Sequence, residues 1–102
     1  LETLKLLELT PRPDAIFCAS DLMAVGCYQA IAKKGLTIPN DIAVMGYDNQ
    51  LLASELTPSL SSIDLPYDEM GRKAVELICK VPMEEALPLI KIEGELYVRE
   101  ST

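Results

Sequence analysis

The stretch Ala15-Ile16-Phe17-Cys18-Ala19-Ser20-Asp21, taken with the later Ile42-Ala43-Val44-Met45-Gly46-Tyr47-Asp48-Asn49, decides the fold. Each begins as a short continuous apolar run, the pattern of a parallel strand buried on both faces. Each ends in small, polar or turn-forming residues. Between them, residues 22–34 read as a helix. Ser20 or Asp21 caps its start, because a side-chain oxygen there accepts from an orphan N–H of the first turn. Gly35 follows Lys33-Lys34 as the residue just past the helix end, with the two cations opposing the helix dipole. Pro39-Asn40-Asp41 supplies turn chemistry before the second strand. Strand, helix, loop and strand make a βαβ unit, whose crossover is right-handed. The helix carries Leu22, Met23, Val25, Cys27, Tyr28, Ala30, Ile31 and Ala32, apolar nearly all round. One stripe serves the sheet; a second implies another contact, with a subdomain or a second chain.

Working outward, residues 1–9 place Leu at 1, 4, 6, 7 and 9, a helical period with no capping residue ahead of it. Thr10-Pro11-Arg12-Pro13 stops this helix. Residues 50–57 read as a short helical turn and 60–65 as a weak strand. Residues 68–80 form a second clear helix, with Met70, Ala74, Leu77, Ile78 and Val81 as one stripe and Glu69 and Glu76 four residues ahead of Lys73 and Lys80. Asp68 is its expected cap. Residues 82–88 are a connector, and 89–93 and 95–99 read as alternating strands about Gly94.

With 102 residues, the chain is one domain at most. It has no His, which removes Ser-His-Asp and Cys-His nucleophile systems and His-containing zinc sites. Nine basic against sixteen acidic residues, a net charge of −7, argue against a phosphate-tracking surface and against an anionic membrane leaflet. No apolar run approaches the ~20 residues that span a bilayer. The three cysteines, Cys18, Cys27 and Cys79, are odd in number and lack CxxC spacing. They read as reduced, buried thiols of a cytoplasmic protein, with Cys18 and Cys27 as core packing. GxGxxG, P-loop, GxSxG and EF-hand patterns are missing. No metal, cofactor or catalytic set is expected.

In open α/β sheets, ligands bind outside the carboxyl ends of the strands. Ser20-Asp21 and Tyr47-Asp48-Asn49 stand at that edge. Their oxygens accept from ligand hydroxyls, Tyr47 offers an apolar face, and no Lys or Arg is adjacent. This suits a neutral polyol or sugar. Plainer readings stand beside it: Ser20 and Asp21 as caps, Asp48 as turn chemistry, Asn49 as a cap, Tyr47 as partial core. Arg99 and Glu100 read as a solvated strand end.

The run from Pro13 to Gly26, PDAIFCASDLMAVG, resembles the PDAIFxxxDxMAxG segment of the lactose/galactose repressor family (LacI/GalR). GLTIPNDIAVMGYDN at 35–49 is similar to the family's GxxIPxDIxVxGYDN/D, TPSLSSI at 57–63 to its TPxLTTI, and LYVREST at 96–102 to its terminal LxxRxST. The pattern most resembles the ribose-type repressors. The resemblance implies a doubly wound, mainly parallel sheet flanked by helices: part of a lobe of the periplasmic-binding-protein type. It also implies that residues 1–102 are the C-terminal portion of an effector-binding and dimerisation domain, with the DNA-binding domain and N-terminal lobe absent.

By that resemblance Asp48 accepts from effector hydroxyls, and Ser20 stands where many members have a sugar-contacting Asn. With Asp21 and Tyr47 they are the expected effector-binding residues. Val25, Tyr28 and Gln29 fall in a region that pairs C-terminal lobes, and Leu51 and Leu52 in dimer-lining sequence. The implied protein is a cytoplasmic, homodimeric bacterial transcriptional regulator, not an enzyme. It senses a sugar such as ribose and touches operator DNA only through the absent module. The alternative is a periplasmic sugar-binding protein of a transport system, against which the three thiols and the terminal RES-T weigh.

Overall fold

The computed structural model of the chain describes residues 2–80 and 88–102. Contacts divide the chain into one unit of Leu1–Asp64 with Glu95–Thr102 and a second of Leu65–Gly94. Leu1, Val81 and most of the 82–88 connector lie outside the described residues.

The first unit is built on the expected βαβ motif. Strand β1 (Ala15–Phe17) pairs in parallel with β2 (Ala43–Met45), with Ile16 opposite Val44. Helix α2 (Asp21–Lys33) connects them. Ser20 is its N-cap, with its Oγ accepting from the Met23 N–H at 3.2 Å. Gly35 ends it at φ +70°, where glycine alone escapes a Cβ penalty, and its N–H donates to Ala32 O at 2.9 Å. In the turn before β2, Asp41 accepts from the Thr37 N–H and hydroxyl at 2.7 and 2.8 Å. Those bonds, the backbone one first, hold its carboxyl below the usual carboxylate range.

Helix α1 (Glu2–Leu7) packs on α2 and buries Leu7. Ala24, Cys27 and Ile31 of α2 pack with Ile42, Val44, Ala53 and Leu60 into the core. Helix α3 (Leu51–Glu55) supplies Ala53. Strand β3 (Ser62–Asp64) pairs with β4 (Glu95–Tyr97) in antiparallel register, Ile63 opposite Leu96.

The two strand pairs are joined through β2. Alternate backbone groups of a strand point to opposite edges. Cys18 N–H donates to Met45 O on the β1 side at 2.8 Å, and Ala43 N–H to Asp14 O at 2.9 Å. On the other side, Val44 and Gly46 N–H donate to Ser101 O and Ser61 O at 3.0 and 2.8 Å. The Ser101 hydroxyl donates to Val44 O at 2.6 Å and accepts from the Ser61 N–H at 2.9 Å. The bridges Met45↔Ser61 and Asp48↔Asp64 are parallel, so the sheet around β2 is parallel on both sides.

Three expectations need correction. β1 is not buried on both faces: Ala15 is exposed and Phe17 is 60% exposed. Among the described residues β1 has one strand neighbour, so it has the exposure of an edge strand. Residues 89–93 form no strand. Alternation there lacks a ladder partner, and a strand is stabilised by cross-strand pairing rather than by its own pattern. Cys79 is exposed, while Cys18 and Cys27 are buried as expected.

In the second unit, α4 (Tyr67–Lys80) buries no residue completely. Asp68 lies inside its first turn rather than capping it, and Ile78 of the apolar stripe is 80% exposed. On this helix an ion pair joins Lys73 and Glu76 across one turn at 3.7 Å. As an exposed pair it contributes little. No described helix is long and apolar enough to cross a membrane.

Candidate functional site

The polar edge expected at the carboxyl ends of β1 and β2 forms within the first unit. The Asp21 N–H donates to Tyr47 O at 2.9 Å, which brings the Ser20-Asp21 and Gly46–Gln50 loops side by side. Phe17 and Tyr47, the last residue of β1 and a residue just beyond β2, meet edge to face with centroids 6.3 Å apart and planes at 88°. Tyr47 is half-buried and Phe17 exposed, so the aromatic pair has an open side.

The Gly46–Gln50 loop has an uncommon backbone. Asp48 and Asn49 both take positive φ, 103° and 51°. Asn and Asp tolerate this region better than other residues with a side chain, but they still need support from their surroundings. That support comes from distant residues. Asp48 N–H donates to Ile63 O at 2.9 Å. Asn49 N–H donates to Ser62 Oγ at 3.0 Å, and Gln50 N–H to Asp21 Oδ2 at 2.7 Å. The Ser62 hydroxyl donates to Asp21 Oδ1 at 2.6 Å. Arg99 donates through one guanidinium nitrogen to Asn49 Oδ1 at 2.6 Å and through the other to Leu60 O at 2.7 Å. Its guanidinium carbon lies 5.5 Å from the Tyr97 ring centroid, a cation–π arrangement.

The expected effector residues therefore separate by role. Asp48 and Tyr47 are half-buried at the strand ends, and Ser20 is half-buried as the helix cap. Asp21 is fully buried, and both of its carboxylate oxygens accept from within the chain, which positions the loop. Sequence reading missed Ser62 and Arg99. Arg99 is not a solvated strand end but a clamp on Asn49. The only sequence signal was an Arg and a Ser in otherwise alternating segments, which names no partner.

The five expected interface residues lie on α2 and α3, which pack against each other. Gln29 is exposed, Val25 and Leu52 are half-buried, and Leu51 is 78% exposed. The Tyr28 hydroxyl donates to Pro58 O at 2.8 Å, and burial pushes its ionisation above the usual phenol range. Leu22 of α2 is 68% exposed, which agrees with the second apolar face expected of this helix. Among the described residues no group of His, Cys, Asp or Glu is arranged to hold a metal ion.

This parallel sheet, with a polar edge at the strand ends, has the architecture of the periplasmic-binding-protein lobe. A family model for the periplasmic binding protein-like domain matches residues 1–102. The ribose operon repressor of Haemophilus influenzae is 46% identical over 99 residues, covering 94% of this chain and 30% of that protein. The HTH-type transcriptional repressor PurR of Histophilus somni is 37% identical over 99 residues, 95% of this chain and 30% of its own length. A crystal structure of a LacI family transcriptional regulator from Arthrobacter sp. FB24, in complex with lactose, superposes with a TM-score of 0.74 and 34% identity over 98% of this chain and 38% of that one. The chain belongs to the periplasmic binding protein-like domain family. It spans about 30% of the length of the repressors named.

Proposed function

We propose that this chain is the effector-sensing and dimerising portion of a bacterial transcriptional regulator that responds to a sugar such as ribose. The supporting observation is the clamp of Asp21, Ser62 and Arg99 that holds Asp48 and Asn49 at positive φ beyond the end of β2. A preformed acceptor costs a hydroxylated ligand less ordering than a mobile one. Ser20 and Tyr47 complete this wall of the site, and the facing wall comes from an N-terminal lobe. A sugar that binds the closed lobes more tightly than the open ones shifts the balance between them, by no more than that difference in affinity. In the proposed regulator this shift changes operator affinity through a separate DNA-binding domain. The protein works in the cytoplasm as a homodimer and is not an enzyme. Both repressors named above are regulators, which supports this reading over a transport protein.

The site is tested in a chimera in which this chain replaces the matching segment of the Haemophilus influenzae ribose operon repressor. Calorimetry is expected to show ribose binding that falls at least tenfold in Asp48→Ala, the value of about one charge-assisted hydrogen bond. Unchanged affinity would overturn the assignment of Asp48. The interface is tested in the chain itself. Sedimentation equilibrium is expected to show a dimer weakened about tenfold or more by Leu51→Glu, because a carboxylate replaces an apolar anchor. A strictly monomeric chain at high concentration would overturn this part of the reading.

A further inference from the structure

Asn49 directly follows Asp48, and its side-chain amide has two ends of opposite chemistry, an oxygen that accepts and a nitrogen that donates. The sequence alone makes that amide one more acceptor at the polar edge. The structure uses the acceptor elsewhere. Arg99 Nη2 donates to Asn49 Oδ1 at 2.6 Å. A guanidinium carries donors only, so the amide atom it meets is the oxygen. Turning the amide end for end would set donor against donor. Arg99 itself has little freedom. Its Nη1 donates to Leu60 O at 2.7 Å, and its backbone N–H donates to the Oγ of buried Ser61 at 2.7 Å. Asn49 is held through its main chain as well, because its N–H donates to Ser62 Oγ at 3.0 Å. The amide nitrogen, Nδ2, is left over. Among the described residues no partner engages it, and no buried side-chain nitrogen or oxygen lacks one. Nδ2 is therefore open to solvent, on a half-buried residue of the loop that carries Asp48.

We infer that Asn49 is a hydrogen-bond donor to the effector, and that Arg99 is the positioning residue that takes up its oxygen and leaves its nitrogen to the ligand. The donor role rests on the reading of this edge as the effector site. The edge then offers an acceptor and a donor on adjacent residues instead of acceptors throughout. Such a pair fits two neighbouring oxygens of a sugar. One hydroxyl gives its proton to the Asp48 carboxylate. The next oxygen, a hydroxyl or the ring oxygen, receives from Asn49 Nδ2. A ligand with oxygen at only one of the two positions forgoes one bond. The donor is fixed before the ligand arrives, by the guanidinium on its side chain and by Ser62 on its main chain, so binding does not have to order it. The cation also polarises the amide, which strengthens the N–H at its other end. Arg99 acts on the ligand only through Asn49.

The test uses the ribose-repressor chimera described above, with ribose as the probe. In a sample with isotope-labelled asparagine, the side-chain N–H signals of Asn49 are assigned by their loss in Asn49→Asp. On saturation with ribose they are expected to move, and their exchange with water to slow about tenfold or more. Signals that stay unmoved in a chimera that binds ribose overturn the donor role, whatever any variant does to the fold. Calorimetry then tests Arg99. Arg99→Met is expected to weaken ribose binding about fivefold where Asn49 is present, the value of about one hydrogen bond, and by less than about twofold in an Asn49→Ala background. Equal losses in both backgrounds mean that Arg99 acts on the fold alone, and overturn its positioning role. Asp48→Ala separates the two readings of the edge. If it leaves ribose affinity unchanged, or if the chimera binds no ribose, the edge is not the effector site and the donor role falls with it. If it lowers affinity while the Asn49 signals stay unmoved, the donor role alone falls.

Discussion

Gly46→Ala is expected to destabilise the chain by about 3 kcal/mol, at the upper end of what overpacking costs in a core. A Cβ at residue 46 would collide with Asp21 Oδ1 and lie 2.8 Å from Leu60 Cδ2. Neither neighbour has room to yield. Leu60 is fully buried in the core, and Asp21 is fully buried with its carboxylate held by Gln50 and Ser62. The loss is large against the roughly 5–10 kcal/mol that a domain of this size has in total. Urea unfolding followed by circular dichroism would show it as a midpoint lowered by at least ~1.5 M. A midpoint unchanged by the methyl group would mean that the carboxylate does not lie against the start of the loop.

Asp21→Ala removes the other side of the same contact and is expected to cost about 3 kcal/mol as well. Its carboxylate accepts from the Gln50 N–H at 2.7 Å and from the Ser62 hydroxyl at 2.6 Å. Alanine leaves both donors without this acceptor, and an orphaned buried polar group costs about 1–3 kcal/mol. The same urea titration measures the loss. The two substitutions are also coupled. Alanine at 21 removes the oxygen that a methyl at 46 would strike, so the double variant is expected to be more stable than the sum of the single effects by about 1 kcal/mol. Strict additivity would show that the two residues do not meet.

What was legible in the sequence followed the range of the interactions. The extent of α2 could be read to within a residue because its start and stop signals, Ser20 and Gly35, act on atoms three or four residues away. The parallel pairing of β1 and β2 followed from two apolar runs separated by a helix. The placement of Tyr47-Asp48-Asn49 just beyond the end of β2, where such sheets carry their ligands, could be read from the apolar run that precedes them. The internal division of labour could not. Asp21 meets its partners 29 and 41 positions along the chain, and Arg99 reaches Asn49 across 50. Nothing local in an aspartate before a helix separates a cap, a ligand contact and a buried brace, because all three need the same oxygen. The failed strand at 89–93 shows the converse. Alternation there was clear, but it describes one chain segment, and a ladder needs two.

The serine at position 101 has a consequence for how the chain is made. The N–H and C=O of Val44 that face away from β1 are both satisfied by Ser101, 57 residues later. Gly46 likewise depends on Ser61. During synthesis, β1, α2 and β2 emerge before their partners at Ser61 and Ser101 and can form their local contacts. The outer edge of β2 at Val44 stays unpaired until Ser101, 57 residues further on, has been made. Such sequence-distant closure is the slow part of folding, because loop entropy must be lost before the contacts form. Val44 therefore presents an unpaired strand edge while those 57 residues are added, the kind of surface that chaperones cover and that other strands can join.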